Sequence, residues 1–229
     1  MPRATARLQV TTAFLAIAAG LVGFASLEFM LEAIQEDFSM TPDQTIVVGQ
    51  ISSGASLFAV FLAGALADRF GDRPVLEVAS VAAALGAIVV GVAPDYRVLL
   101  GGLCLSGIGT IAMAIAGLSV LGTTYPDRAD RARAFGIFAV VAPVVSIVVP
   151  MAAGVLVPGV GWRSVVALWL AVAVATFVLS CRSLSVRAVA KGQIELVTPM
   201  LAGVALAGIA LSVSFVNTKS ESSAHSVPP

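Results

Sequence analysis

The sequence predicts an all-α polytopic membrane protein, and three observations carry that prediction. Apolar residues make up 59% of the 229-residue chain and charged residues only 11%, with a mean hydropathy of +1.01. Soluble domains run at about 45–50% apolar and about 25% charged, so this chain cannot cover itself with a polar surface. The apolar residues fall into seven runs separated by charge and Pro/Gly clusters, each near the roughly 20 residues that cross a hydrocarbon core of about 30 Å. None of the runs alternates with period two, so a β-barrel is not expected.

The first run, Leu8–Leu27, follows Arg3 and Arg7. It exceeds the roughly 7–15 residues of a signal-peptide apolar region and no A-x-A-like site follows, so it is read as a span. The second, Thr45–Ala67, carries Gln50, Ser52 and Ser53, and the third, Val75–Ala93, ends at the turn signal Pro94-Asp95. The fourth, Val98–Leu121, sets Gly102, Ser106, Thr110 and Ala114 at spacing four, a stripe that lets helices approach closely in lipid. Pro143 and Pro150 are expected to kink the fifth, Phe135–Val157, which closes on a second turn signal at Pro158–Gly161. Ser164–Cys181 and Leu196–Val216 are the sixth and seventh. Residues 217–229, polar and rich in Ser and Pro, are read as a disordered tail.

Charge and chemistry exclude other classes. Thirteen basic residues balance thirteen acidic ones, so the electrostatic footprint of a nucleic-acid binder is missing. Cys104 and Cys181 lie in apolar runs with no metal-ligand spacing, and the sole histidine, His225, sits in the polar tail. With no nucleophile–base pair, metal cluster or phosphate-binding motif, neither an enzyme nor a cofactor is expected. Ten of the thirteen basic residues fall on one side: Arg3, Arg7, Arg69, Arg73, Arg128, Arg131, Arg133, Arg182, Arg187 and Lys191. Only Arg97, Arg163 and Lys219 fall on the other. The bias places the N-terminus in the cytoplasm and, with seven spans, the C-terminus outside.

The connector after the second span reads Gly64-Ala-Leu-Ala-Asp-Arg-Phe-Gly-Asp-Arg-Pro-Val-Leu76. It resembles the loop between helices 2 and 3 of the major facilitator superfamily, G-x-L-a-D-r-x-G-r-k-x-x-l. Gly64, Leu66, Ala67, Asp68, Arg69, Gly71, Arg73 and Leu76 match in register, and Asp72 departs where the family usually has a basic residue. Ile34–Phe38, Gly107-Ile-Gly109 and Gly161-Trp-Arg163 are similar to family stretches at the corresponding points, the last to its drug-efflux branches. Other positions depart. Leu103 stands where the family's fourth helix often carries an arginine linked to proton coupling, Ser106 where it often has glutamine, and Gly23 where many exporters have aspartate. The fifth-span antiporter pattern survives only as Val149-Pro150-Met-Ala-Ala153-Gly154.

The resemblance implies a six-helix bundle of major facilitator type over residues 1–187, built as a 3+3 inverted repeat, although no sequence repeat is visible. Residues 188–216 then form a linker and a seventh transmembrane helix. It also implies that Asp68 latches onto a helix end in the other half of the transporter, with Gly64, Arg69, Gly71 and Arg73 completing a conformational-gate loop. A carboxylate near the negative C-terminal end of a helix is unfavourable unless compensated, and Arg69 and Arg73 are expected to compensate it locally. Gly64 is expected to allow close helix approach and Gly71 a turn closed to other side chains.

Glu28 and Glu32, one helical turn apart, share a face and with Gln50 form a candidate substrate or proton path. Glu28 also lies about 31 Å along an ideal helix from Arg7, at the outer edge of the hydrocarbon, where water can solvate it. Both readings stand. The expected function is transmembrane transport of a small solute by alternating access, of efflux type, in the cell membrane. Such a chain is an N-terminal half or a truncated transporter, and it needs a second copy or a separate C-terminal half. The alternative is a non-transporting remnant or an interaction subunit of the membrane.

Overall fold

The structure, a computed structural model, describes residues 3–125 and 127–184 together with positions 205 and 208. Six helices run in chain order: α1 (Arg3–Asp37), α2 (Pro42–Phe70), α3 (Asp72–Gly91), α4 (Tyr96–Thr124), α5 (Arg128–Val160) and α6 (Arg163–Ser183). All six are long and apolar enough to cross a membrane; five contain their expected apolar run whole, and α3 ends at Gly91, two residues short of the Ala93 expected from the sequence. The expected seventh helix, its linker and the polar tail lie outside the described residues.

Polar caps start three of the helices, α2, α4 and α5, ahead of their apolar runs. Thr41 and Gln44 form a reciprocal capping box at the start of α2, with Pro42 in the first turn. Asp95 accepts from the backbone N–H groups of Arg97 and Val98, and Asp127 from those of Ala129 and Asp130. Each satisfies N–H groups that a helix start leaves without intrahelical partners. The Pro94-Asp95 turn forms as expected. Pro158–Gly161 does not: α5 continues through Pro158, Gly159 and Val160, and the chain turns only at Gly161, where φ is 100°. In hydrocarbon a backbone leaving the helix has nothing else to bond, so the helix persists to the residue that can take a positive φ.

Helix α4 is the central element and packs against α3, α1 and α2. Its small residues explain how it can. A Cβ at Gly102 would stand 2.8 Å from the Val90 nitrogen of α3, one at Gly107 2.6 Å from Ser52 Oγ of α2, and one at Gly117 2.9 Å from the Ala13 carbonyl oxygen of α1. Gly109 likewise leaves no room beside the Ala83 backbone, and Gly86 of α3 none beside Ser106. Gly20 of α1 meets Ala114, with 3.0 Å between the Cβ atoms a substitution would bring together. The expected stripe therefore serves two partners: Gly102 and Ser106 receive α3, and Thr110 and Ala114 receive α1. Close backbone approach replaces the hydrophobic drive that lipid does not supply.

The core is graded along the bundle. At the end carrying the α2–α3 turn it is alanine-rich, with Ala16, Ala67, Ala79, Ala83, Ala116 and Ala173 around Leu76 and Met113. At the opposite end Met30, Ile34, Leu99, Leu103, Trp162 and Trp169 fill a wider space. Polar ties join α1 to α6 inside this core. Trp169 Nε1 donates to Ser26 Oγ at 2.8 Å, Gln9 Nε2 to the Ser183 carbonyl oxygen at 3.2 Å, and Thr12 Oγ1 lies 2.8 Å from Ser183 Oγ. Helix α5 is the least covered, with Ala134, Val149 and Ala153 as its buried residues.

Candidate functional site

The α2–α3 turn is a single residue. Gly71 ends α2 with its N–H on the Ala67 carbonyl oxygen (2.9 Å) and starts α3 at φ 84° and ψ 165°. That positive φ bears out the expectation for Gly71, since a side chain would be strained there. Asp72, the departure from the loop pattern, opens α3 and accepts from Thr123 Oγ1 of α4 at 3.4 Å.

The two arginines do not compensate Asp68, which corrects the sequence expectation. Arg73 Nε donates to Glu77 Oε1 at 2.7 Å and its Nη1 to the Leu184 carbonyl oxygen at 2.9 Å. Arg69 lies over the Phe70 ring, 5.2 Å from its centroid. Among the described residues Asp68, in the last turn of α2, has no hydrogen bond or ion pair, and its side chain is exposed. A second expectation is also corrected. A Cβ at Gly64 would meet nothing within 4 Å, so no helix among the described residues approaches there.

The same geometry explains both corrections. The buried residues of α2 are Val48, Ala59, Ala63 and Ala67, all turned toward the bundle. At about 100° per residue, Gln50, Gly54, Leu57, Phe61, Gly64 and Asp68 make a stripe on the opposite side. Two features that sequence reasoning treated separately, Gly64 and Asp68 of the gate loop and the candidate path residue Gln50, thus share one face of α2, on which Phe61 and Asp68 are exposed and Gln50, Gly54, Leu57 and Gly64 half-buried.

Glu28 and Glu32 are exposed on α1, opposite the fully buried Met30 and Ile34. A Cβ at Gly49 would lie 3.5 Å from Leu31 Cδ1, so Gln50 follows the point where α2 meets the Glu28–Glu32 stretch. The structure brings the three to one level of adjacent helices and forms no hydrogen bond between them. Leu103, standing where the family often has arginine, is buried in the core.

Sequence reasoning missed the cluster at the opposite end. Asp37 Oδ2 accepts from Arg163 Nη1 at 2.7 Å and from Trp162 Nε1 at 3.1 Å, while Arg163 Nε donates to the Gly91 carbonyl oxygen at 3.1 Å. The Arg163 guanidinium also stacks over the Trp162 ring, 4.4 Å from its centroid. Asp37 and the Gly-Trp-Arg stretch were each visible in sequence, but nothing in the chain signals their meeting.

Comparison with known proteins agrees with this architecture. The family model described as Major Facilitator Superfamily matches residues 12–215. The chain is 32% identical over 136 residues to the Multidrug resistance protein Stp of Mycobacterium tuberculosis, an alignment covering 59% of this chain and 25% of that protein. It is 31% identical over 140 residues to the Methylenomycin A resistance protein of Bacillus subtilis, covering 61% and 30%. The crystal structure of the peptide transporter POT in complex with sulfate superposes with a TM-score of 0.71 at 14% identity, covering 91% of this chain and 45% of that one. The chain thus spans about half the length of the solved transporter and less of the two resistance proteins.

Proposed function

This chain belongs to the Major Facilitator Superfamily, and on that premise we propose that it is the N-terminal half of a transporter that moves a small solute by alternating access. The observation that carries the reading is Asp68. A carboxylate without a partner among the described residues, at the unfavourable end of α2, suits a latch whose acceptor is the N-terminus of a helix in another bundle. Its stripe-mates support this. Gln50 and Gly64 on a membrane helix suit a helix–helix interface better than lipid.

The second bundle is a C-terminal half or a second copy of this chain. Substrate then sits between the bundles near the midplane, with Glu28, Glu32 and Gln50 on the α1–α2 side of the path. The resistance proteins among its relatives support efflux of small molecules across the cell membrane. The basic bias supports a cytoplasmic N-terminus and α2–α3 turn.

The test is drug accumulation in a sensitive host expressing the chain, alone and with a C-terminal half, using methylenomycin A. Lower accumulation than in the empty host, reversed by Asp68→Asn, is expected. Unchanged accumulation in both backgrounds would favour the non-transporting reading.

A further inference from the structure

Two tight turns, each opened by a glycine at positive φ, stand at opposite ends of the bundle and share a construction. Gly71 (φ 84°, ψ 165°) links α2 to α3, and Gly161 (φ 100°, ψ 158°) begins the link from α5 to α6. Each glycine N–H bonds back to the helix it ends, Gly71 to Ala67 and Gly161 to Leu156 and Val157. Each glycine is followed two residues later by an arginine near the start of the next helix.

The two arginines make matching bonds. Arg73 places Nε 2.7 Å from the Glu77 carboxylate and Nη1 2.9 Å from the carbonyl oxygen of Leu184, the residue that ends α6. Arg163 places Nη1 2.7 Å from the Asp37 carboxylate and Nε 3.1 Å from the carbonyl oxygen of Gly91, the last residue of α3. Helices α3 and α6 pack side by side and run antiparallel, so the N-terminal arginine of each reaches the C-terminal carbonyls of the other. Those carbonyls lack intrahelical donors, and a cation there also meets the negative end of the helix. In each case a carboxylate on a second nitrogen holds the guanidinium in place.

We infer that Gly71-Asp72-Arg73 and Gly161-Trp162-Arg163 are counterpart turns forming a reciprocal tie, which locks α3 and α6 at both ends into one rigid pair. The tie gives Arg73 a role inside the bundle, separate from the latch proposed for Asp68. It gives the same role to Arg163, with Asp37 as its carboxylate. Because the Asp37 partner lies on α1, the tie at that end also fixes the end of α1, whereas Glu77 keeps the other within α3 and α6.

Amide hydrogen exchange on the full chain in lipid nanodiscs tests this without any transport substrate, so its outcome is separate from that of the transport reading. Arg73→Gln is expected to speed exchange about three- to tenfold in the last turn of α6, residues 180–184, a helix it does not belong to. Arg163→Gln is expected to do the same in the last turn of α3, residues 88–91, and at the end of α1. Lysine at either position should restore part of the protection, since an ammonium keeps the charge but cannot bond two acceptors as a fork. Arg163 is the more exposed of the two, 47% against 27%, so its variant carries the test if Arg73→Gln does not fold. Acceleration confined to the substituted helix, or none at the facing helix end, would overturn the inference.

Discussion

Arg73 reaches across 111 residues to place its Nη1 2.9 Å from the Leu184 carbonyl oxygen, and that contact removes it as a partner for Asp68. The arginine of the α2–α3 turn belongs to the packing of α3 on α6. The aspartate of the same turn is left facing outward.

Arg73→Ala should therefore destabilise the protein, lowering its melting temperature in detergent more than Arg163→Ala does. The ordering follows from exposure, because water replaces lost bonds more readily around the outer arginine. High salt should narrow the difference between wild type and Arg163→Ala, since that pair is the more accessible to screening.

Two adjacent glycines of α4 should respond in opposite ways. Gly102→Ala puts a Cβ 2.8 Å from the Val90 nitrogen and should cost about 1–3 kcal/mol as α3 and α4 are forced apart. Gly101→Ala meets nothing within 4 Å and should stabilise by about 0.5–1 kcal/mol through helix propensity. Melting curves of the two variants beside wild type provide the check.

The Trp169–Ser26 bond should also be asymmetric. Ser26→Ala leaves the buried indole N–H without an acceptor and should cost about 1–3 kcal/mol. In Trp169→Phe, Ser26 Oγ still donates to the Val22 carbonyl oxygen at 2.7 Å, so only packing and one modest bond are lost. Unfolding of the two variants, followed by circular dichroism, should rank them in that order.

Asp68→Asn should separate function from stability. The carboxylate forms no bond among the described residues, and removing its charge from the C-terminal end of α2 relieves a repulsion of about 0.3–1 kcal/mol. An unchanged or slightly raised melting temperature together with lost transport is the expected result. A lower melting temperature would place the Asp68 partner within this bundle.

The six helices were legible because their apolar runs are long and their charges cluster between them. Their ends were less so, since Thr41, Asp95 and Asp127 extend helices into polar sequence by capping. The α2–α3 loop showed its spacing but not its pairing. Which carboxylate Arg73 meets depends on how α3 lies on α6, and whether Gly64 receives a helix depends on what covers α2. Asp37 and Arg163 were beyond reach for the same reason, being 126 residues apart. The glycines of α4 announced close packing, while their division among three neighbours came only from the fold.

The central claim is that this chain works only when a second bundle covers the α2 face bearing Asp68. Native mass measurement of the 229-residue chain in lipid, on the same preparation that lowers drug accumulation, tests it most directly. A particle containing two 23.2 kDa chains, or one such chain with a separate C-terminal half, is the expected result. A transport-active particle with the mass of a single chain would contradict it.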